Sequence, residues 1–299
     1  MTSKINSMYG WTLIILLFLS IFTSVYRQEF PLGLLVAVLV SCLLDLGIKK
    51  LLKKSLAFPY SAFITGLIIG SVAQFSAPLW VIVVASIVAI GSKHLIKIKK
   101  QHIFNPATLG LLVAFFIFSS GDEWWASIAY NFFGYSIILT PLLILANYRA
   151  GKLAVSIPFL VVIGALFVGS GLIPLSSGAP TIVYSLPFFF GFIMVSEPKT
   201  SPYQFKEQLA FGVGLAVLTF VFMFYSVLYY PFLALLIGNF GFAVYRVWKS
   251  KQNTSESPIE VDKPQSKIED PIDFLSSISI KTKKSPVEMK REAEKVFGG

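Results

Sequence analysis

Long apolar stretches alternate with short polar connections between residues 9 and 248. A helix needs about 20 apolar residues to cross the hydrocarbon of a bilayer, and a window of that size separates ten stretches. Several are close to the lower limit of about 17 residues, which predicts tilted or interrupted helices. The predicted spans are 9–27, 31–48, 58–74, 79–96, 104–120, 126–147, 154–173, 181–196, 208–226 and 231–248.

Composition supports an integral membrane protein and excludes a soluble domain. Hydrophobic residues make up 55% of the 299-residue chain and charged residues only 13%, with a mean hydropathy of +0.74. The first span has no small-residue cleavage site after it, so we expect it to be retained. The formal charge of +10 comes from lysines between spans, and no nucleic-acid-binding module is present. We therefore predict an all-α, multi-pass protein embedded in the lipid bilayer.

Basic residues in alternate connections predict the orientation of the chain. The opposite connections hold Arg27 beside the acidic residues Glu29, Asp122 and Glu123. The positive-inside rule then predicts that both termini lie in the cytoplasm and that the Trp124 and Trp125 pair lies at the outer interface of the cytoplasmic membrane. The basic set is Lys49, Lys50, Lys53, Lys54, Lys97, Lys99, Lys100, Arg149, Lys152, Lys199, Lys206, Arg246, Lys249 and Lys251.

An internal repeat relates the two halves. The segments 61–78 (SAFITGLIIGSVAQFSAP) and 185–202 (SLPFFFGFIMVSEPKTSP) have equal length and similar ends. They are offset by 124 residues, and the same shift, give or take one, carries Pro106 onto Pro231 and the span 31–48 onto 154–173. Two units of five spans, at about 9–120 and 126–248, must insert in opposite orientations because five is odd. Chance similarity between apolar segments is the alternative.

The polar pair Asn105 and Pro106 stands at the start of an apolar run. Interrupted helices in inverted-repeat proteins expose backbone groups to an interior ligand. Asn105, Pro106 and Thr108 are therefore candidate binding residues. The alternative is an ordinary helix start, with Asn as the cap and Pro in the first turn.

Other polar residues give fewer candidates. Asp45 lies inside a span and is a candidate for an ion pathway, but Lys49 four residues on suggests a salt bridge instead. His94 and His102 are interpreted as part of a solvated basic loop, without the neighbours of a metal site. Cys42 is the single cysteine, so no internal disulfide is possible.

Three motifs together resemble one family. The string SKHLIKIKKQHIFNPATLGLL, with FITGLIIG before it and SEPKTSP at 196–202, resembles the RnfD and NqrB family of membrane subunits of the Rnf and sodium-pumping NADH:quinone oxidoreductase complexes. The resemblance covers roughly residues 9–248. It implies a ten-helix subunit with an inverted repeat, holding flavin and assembled with other membrane subunits of such a complex.

The resemblance also implies a flavin attachment site, from which this chain departs. Family members typically carry FMN on a threonine in the motif Asp-x-Ser/Thr-Gly-Ala-Thr. Here Pro180 occupies the acceptor position, and Thr181 comes one residue late. Because proline has no hydroxyl group, we expect flavin (FMN or riboflavin) to be bound without a covalent bond. The candidate binding residues are Ser176, Ser177, Gly178, Ala179 and Thr181, for which a Ser/Gly turn between spans is the alternative.

A second family segment lies at 196–202. Glu197 stands where the family usually has Asp, and Thr200 and Ser201 match directly. A carboxylate with hydroxyl groups at a helix end can coordinate a cation or contact an isoalloxazine edge. The alternative is a helix stop formed by Pro198 and Pro202.

The sequence thus favours a membrane subunit of an Rnf/Nqr-type electron transport complex, with electrons passing through flavin and coupled to Na⁺ or H⁺ movement. We find no acid–base pair or nucleophile for autonomous catalysis, so whether the chain is itself an enzyme stays open. The alternative is a channel or transporter for a small polar solute. Residues 1–250 form the predicted membrane domain, and 251–299 form a cytoplasmic, largely disordered tail with a short helix at 285–297.

Overall fold

A computed structural model describes residues 2–98, 101–126, 133–177 and 186–255. The chain divides into two compact units, residues 1–249 and 250–299. Of the second unit, only 250–255 belong to the described part, as the end of a helix. Residues 256–299, including the predicted helix at 285–297, lie outside the described residues.

The described residues are mostly helical, and their helices follow the predicted spans. The described part of the second half also contains two shorter helical segments, a 3₁₀ turn at Leu175–Ser177 and a π-helix at Phe190–Met194. The α-helices are α1 Thr2–Arg27, α2 Leu32–Leu51, α3 Tyr60–Val72, α4 Leu79–Leu95, α5 Pro106–Phe118, α6 Phe133–Ala150, α7 Leu153–Gly169, α8 Phe205–Phe224 and α9 Tyr230–Ser255.

Helix length divides these elements into full and partial spans. Four helical stretches in the described part are long and apolar enough to cross a membrane: Gly10–Arg27, Leu32–Leu51, Phe205–Phe224 and Tyr230–Gln252. In contrast, α3 and α5 have 13 residues each. Such a helix is about 20 Å long and falls short of a hydrocarbon core about 30 Å thick. Helices α3 and α5 are therefore shorter than a full span, as their short apolar runs indicate. The predicted span 181–196 begins in residues outside the described part.

One element departs from the all-α prediction. Lys97–Ile98 and Gln101–His102 form two short antiparallel strands, β1 and β2, in which Lys97 lies opposite His102. This connection follows α4 and ends just before α5 begins. The hairpin fixes the backbone that leads into Asn105.

Glycines allow the helices to approach closely. A Cβ atom at Gly66 of α3 would lie 2.6 Å from the Cα of Val38 in α2. A Cβ atom at Gly110 of α5 would overlap with the carbonyl oxygen of Ala85 in α4. Without a side chain at these positions, backbone packs against backbone, which is how helices associate in lipid.

The tryptophan pair is packed inside the protein. Trp125 is 1% exposed, and its Nε1 donates to the carbonyl oxygen of Gly70 at 2.6 Å. The ring of Trp124 stacks on Phe232 of α9, with 5.4 Å between the ring centroids. Trp125 therefore does not expose its ring, as the preference of amphipathic rings for the membrane surface had suggested; the depth of the pair in the membrane stays a prediction. The indole of Trp125 instead pairs with a carbonyl in the last turn of the short helix α3.

Glu123 forms hydrogen bonds with the backbone at the C-terminal end of α3. Its carboxylate accepts from the backbone N–H of Phe75 at 2.7 Å and from the guanidinium of Arg27 at 2.7 Å. The backbone N–H of Glu123 donates to the carbonyl oxygen of Val72 at 2.9 Å. Arg27 and Glu123, which the sequence assigned to the same side of the membrane, thus form an ion pair that ties α1 to α3.

Candidate functional site

Asn105 begins α5 in the manner of a helix cap. Its backbone is extended, with φ −61° and ψ 119°, and its side-chain Oδ1 accepts from the backbone N–H of Thr108 at 3.1 Å. Pro106 occupies the first turn, where its missing N–H costs no hydrogen bond. The interpretation of this pair as a helix start is confirmed.

Asn105 also joins the two halves of the chain. Its side-chain Nδ2 donates to the carbonyl oxygen of Met194 at 3.2 Å, and its backbone N–H donates to the side-chain Oδ1 of Asn239 at 3.0 Å. The Nδ2 of Asn239 donates in turn to the carbonyl oxygen of Thr200 at 3.3 Å. We call Asn105, Met194, Thr200 and Asn239 the Asn105 junction. Both asparagines are almost fully buried, so these bonds satisfy groups that are costly to leave unpaired.

The π-helix at Phe190–Met194 places carbonyl groups where side chains reach them. Ser156 Oγ donates to the carbonyl oxygen of Gly191 at 3.0 Å, and Asn147 Nδ2 donates to that of Phe192 at 2.9 Å. Asn147 Oδ1 also accepts from Ser156 Oγ at 3.0 Å. Short π-helices often mark functional or strained positions. The sequence interpretation missed Asn147 and Ser156, although a polar residue near the start or end of an apolar run is a usable signal.

Glu197 is held by groups from both halves. Its Oε1 accepts from His102 Nε2 at 3.0 Å, and its Oε2 accepts from Thr200 Oγ1 at 3.1 Å. Ser201 Oγ donates to the Glu197 backbone carbonyl oxygen at 2.6 Å. His102 is only 4% exposed. The interpretation of His102 as part of a solvated loop was therefore wrong, because its partner lies 95 residues further along the chain.

The charge of Glu197 is stabilised by these neighbours. Burial raises the pKa of the Glu197 carboxyl, but the opposing charge and hydrogen bond of His102 lower it, with further contributions from Lys199 and Thr200. The net pKa is below the ordinary value for glutamate. Glu197 is thus a carboxylate anchored by hydrogen bonds, and it lies beside the Asn105 junction.

Lys152 is buried directly before α7. It is 0% exposed, and its Nζ donates to the carbonyl oxygens of Ser201 at 3.0 Å and Pro202 at 2.7 Å. The ammonium group also lies 3.7 Å from the centroid of the Tyr203 ring. Burial lowers the pKa of Lys152 to about 7, and the charge of Glu197 opposes that shift. From the sequence, Lys152 was interpreted as a loop residue whose charge sets the orientation of the chain in the membrane. In the structure, Lys152 connects the backbone at 201–202 to the start of α7 through hydrogen bonds.

A small cavity lies beside the junction. Its volume is about 30 Å³, and Ser61, Thr65, Asn105, Ile193 and Glu197 are among the residues that line it. One water molecule takes about 30 Å³ in the liquid, whereas organic ligands occupy pockets of about 300–1,000 Å³. All side-chain polar atoms of Asn105 on this side have protein partners. This arrangement does not fit a flavin ring system.

Asp45 forms a separate charge cluster near the end of α2. It is 1% exposed, and its carboxylate lies 2.7 Å from Lys49 Nζ, 3.2 Å from Lys93 Nζ and 2.8 Å from His94 Nε2. The predicted salt bridge between Asp45 and Lys49 is confirmed. Lys93 and His94 of α4 were missed as partners, and the interpretation of His94 as a solvated loop residue was wrong.

The predicted flavin loop is only partly described. Ser176 is exposed in the 3₁₀ turn Leu175–Ser177. Gly178, Ala179, Pro180 and Thr181 lie outside the described residues. The described residues contain no group of three or more His, Cys, Asp or Glu side chains that could hold a metal ion. The structure thus brings together Asn105, Glu197, Thr200 and Ser201.

The fold is that of a multi-pass α-helical membrane protein. Buried polar side chains bind the start of its short helix α5 and the end of its short helix α3. Residues 2–147 match the model of the NQR2, RnfD, RnfE family. The match covers just under half of the chain. It supports an RnfD/NqrB-type membrane subunit, and the resemblance seen in the motifs is confirmed over these residues. The 196–202 segment lies beyond the match. No curated protein matches the chain.

Proposed function

We propose that this subunit carries electrons through a non-covalently bound flavin within an Rnf/Nqr-type complex, coupled to Na⁺ or H⁺ movement. The family match over residues 2–147 supports the class of complex. Flavin supplies one-electron and two-electron redox chemistry when it is bound, and the protein supplies its position and surroundings.

The observation that carries the proposal is the meeting of two family segments. The FNPA segment at 104–107 and the SEPKTSP segment at 196–202 are about 90 residues apart. Asn239 joins them, because its Oδ1 accepts from the Asn105 backbone and its Nδ2 donates to the Thr200 carbonyl oxygen. The residues that carry the resemblance therefore connect the two halves of the chain through hydrogen bonds. This is what a subunit that must keep cofactors at fixed separations requires.

We further propose that the two halves are inverted repeats of five spans. Gly66 of α3 faces Val38 of α2, and Gly191 of the π-helix faces Phe159 of α7, where an added Cβ would lie 3.1 Å from the ring. The two glycines are 125 residues apart, close to the predicted shift of 124, and the residues that they face are 121 apart, which is within one helical turn of it. Pro106 and Pro231 also both lie in the first turn of their helices. These matched contacts support the repeat.

The flavin of this proposal belongs to the 176–181 segment and not to the cavity beside Asn105. That cavity holds about 30 Å³, which is too small by roughly tenfold for an organic ligand. The hydroxyl of Ser176 lies on an exposed turn, where it can donate to a phosphate or ribityl group. Pro180 in place of the acceptor threonine is the reason to propose binding without a phosphoester bond.

The proposal also includes ion movement, for which the Asp45 carboxylate is the candidate binding group. Three basic groups surround the carboxylate, so Asp45 can serve a passing ion only when one of these contacts opens. Exchange of a bound proton or Na⁺ for one of these ammonium groups would keep the buried carboxylate neutralised throughout.

The test is to purify the subunit together with its membrane partners and precipitate the protein with acid. The proposal predicts that flavin fluorescence appears in the supernatant. Flavin in the pellet would show a covalent bond, and Thr181→Val would then identify Thr181 as the acceptor if it removed the pellet signal. Flavin in neither fraction, together with solute flux in proteoliposomes, would replace this proposal with a channel or transporter for a small polar solute.

A further inference from the structure

An open groove of about 500 Å³ separates α8 from α9. Its apolar walls include Phe211, Gly214 and Leu218 on α8 and Gly238, Gly241 and Phe242 on α9. The two helices touch along one edge, where the rings of Phe211 and Phe242 have centroids 6.0 Å apart. The groove is a separate feature from the Asn105 junction, with which it shares no lining residue.

Two glycines leave this groove open. A Cβ atom added at Gly214 or at Gly241 would meet nothing within 4 Å. The close-packed Gly66 and Gly110 differ, because an added Cβ there would run into a neighbouring helix. Side chains at positions 214 and 241 would therefore extend into the groove without first disturbing the protein around it.

The groove has the length of one membrane leaflet. Its lining on α8 runs from Lys206 to Leu218, which is about 18 Å of helix axis at 1.5 Å per residue. Half of a hydrocarbon core about 30 Å thick is about 15 Å. A volume of 500 Å³ spread over that length gives a channel roughly 6 Å across, wide enough for one hydrocarbon chain at carbon contact distances of about 3.5–4.0 Å.

The charged end of the groove carries Lys206, a cation without a partner among the described residues. Glu207 is already engaged, since Tyr245 Oη donates to its Oε1 at 3.1 Å and Lys249 Nζ pairs with the same oxygen. Lys206 lines the groove and is exposed. It forms no hydrogen bond or ion pair with any residue in the described ranges. The positive-inside rule assigns this end to the cytoplasm, where the leaflet is rich in anionic lipid.

We propose that the groove binds an anionic phospholipid of the cytoplasmic leaflet, with one acyl chain between Gly214 and Gly241 and the phosphate at Lys206. The groove is too narrow to enclose a membrane-spanning helix of a partner. A helix about 10 Å across would occupy roughly 1,400 Å³ over the same length. The lipid would fill a gap between two helices that also meet through Phe211, Phe242 and the cluster around Glu207. This inference does not depend on the cofactor or ion of the proposed function.

The experiment measures bound lipid by native mass spectrometry of the subunit with its membrane partners, after equilibration with vesicles of equal parts phosphatidylglycerol and phosphatidylcholine. Gly214→Leu and Gly241→Leu fill the groove and should each lower bound phosphatidylglycerol at least fivefold. Gly47→Leu is the matched control, because Gly47 is an exposed helix glycine whose added Cβ also meets nothing within 4 Å. It should leave the bound lipid unchanged.

A charge variant tests the headgroup separately. Lys206→Gln should lower the preference for phosphatidylglycerol over phosphatidylcholine about fivefold, the factor that corresponds to about 1 kcal/mol per basic residue at an anionic surface. Lys50→Gln, at another exposed lysine on the same predicted side, should not change it. Equal retention of the two lipids by the unaltered protein would overturn the proposal. Loss of a partner subunit in Gly214→Leu, with bound lipid unchanged, would also overturn it and would assign the groove to a partner helix.

Discussion

Asn105 and Met194 are 89 residues apart in sequence, yet the side-chain amide of Asn105 donates to the carbonyl oxygen of Met194 at 3.2 Å. The same side chain caps α5 through the backbone N–H of Thr108. One residue thus starts a short helix and binds the irregular π-helix of the other half. Partial helices leave backbone groups that lipid cannot satisfy, so such groups must find partners inside the protein.

Replacing Asn105 with Leu should lower the free energy of unfolding by about 2 to 4 kcal/mol. This sum combines a lost cap of about 1 kcal/mol with a buried carbonyl left unpaired, at about 1–3 kcal/mol. Thermal unfolding in detergent measures the change. Asn105→Ser keeps an oxygen for the cap and should lose less. Equal stability of the Leu variant and the unaltered protein would show that the junction does not stabilise the fold.

Asp45→Asn should destabilise the protein by about 3 to 5 kcal/mol, because it leaves buried Lys93 without its counter-charge. Glu29→Gln is the comparison. Glu29 pairs with Arg27, but its side chain is 49% exposed, so the loss should stay below about 1 kcal/mol. Denaturant unfolding of both variants separates the two cases. Similar small losses would mean that the Asp45 cluster contributes no more than a surface ion pair.

The stability of the protein should rise with pH above neutrality because of Lys152. Burial lowers its pKa from 10.5 to about 7 in the folded protein. Between these values the unfolded chain holds a proton that the folded protein has released, so the free energy of unfolding increases with pH from about 7 to 10.5. Lys152→Met should remove this part of the slope. Unfolding midpoints at a series of pH values test it, with Lys50→Met as the control.

The Lys152→Met substitution should also lower the stability of the protein in a way that does not depend on pH. Lys152→Met leaves the carbonyl oxygens of Ser201 and Pro202 without their donor, so its stability should be lower at every pH. The slope is therefore the informative quantity. Parallel curves for the variant and the unaltered protein would contradict the assigned pKa of Lys152.

Alanine at two glycines should have opposite effects. Gly66→Ala places a methyl group 2.6 Å from the Cα of Val38, and forcing α2 and α3 apart should cost about 1–3 kcal/mol. Gly47→Ala meets open space and should stabilise α2 by up to about 1 kcal/mol, because alanine favours the helix more than glycine does. Calorimetry of the two variants in one detergent gives the comparison. A neutral Gly66→Ala would argue against the close packing of α2 on α3.

The sequence predicted the helices well because hydropathy reports directly on burial in lipid. It placed α2 and α4 within a few residues of their bounds, and short apolar runs indicated the partial helices α3 and α5. The Asn105 cap was also predictable, since a cap and a proline in the first turn are local features.

The partners of the polar residues were not predictable in the same way. His102 binds Glu197 across 95 residues, and Asp45 binds Lys93 across 48 residues. Such contacts depend on which helices pack together, and local spacing does not contain that information. Trp125 shows the same limit, because an aromatic residue between spans has the same sequence pattern whether it faces lipid or, as here, packs in the protein.

Electron transfer through a non-covalent flavin is tested most directly by a reduced-minus-oxidised difference spectrum of the subunit purified with its native membrane partners. We expect a flavin signal in a particle that also contains redox subunits, with the flavin released by acid. A particle with neither flavin nor a redox partner, and with an intact fold, would contradict it.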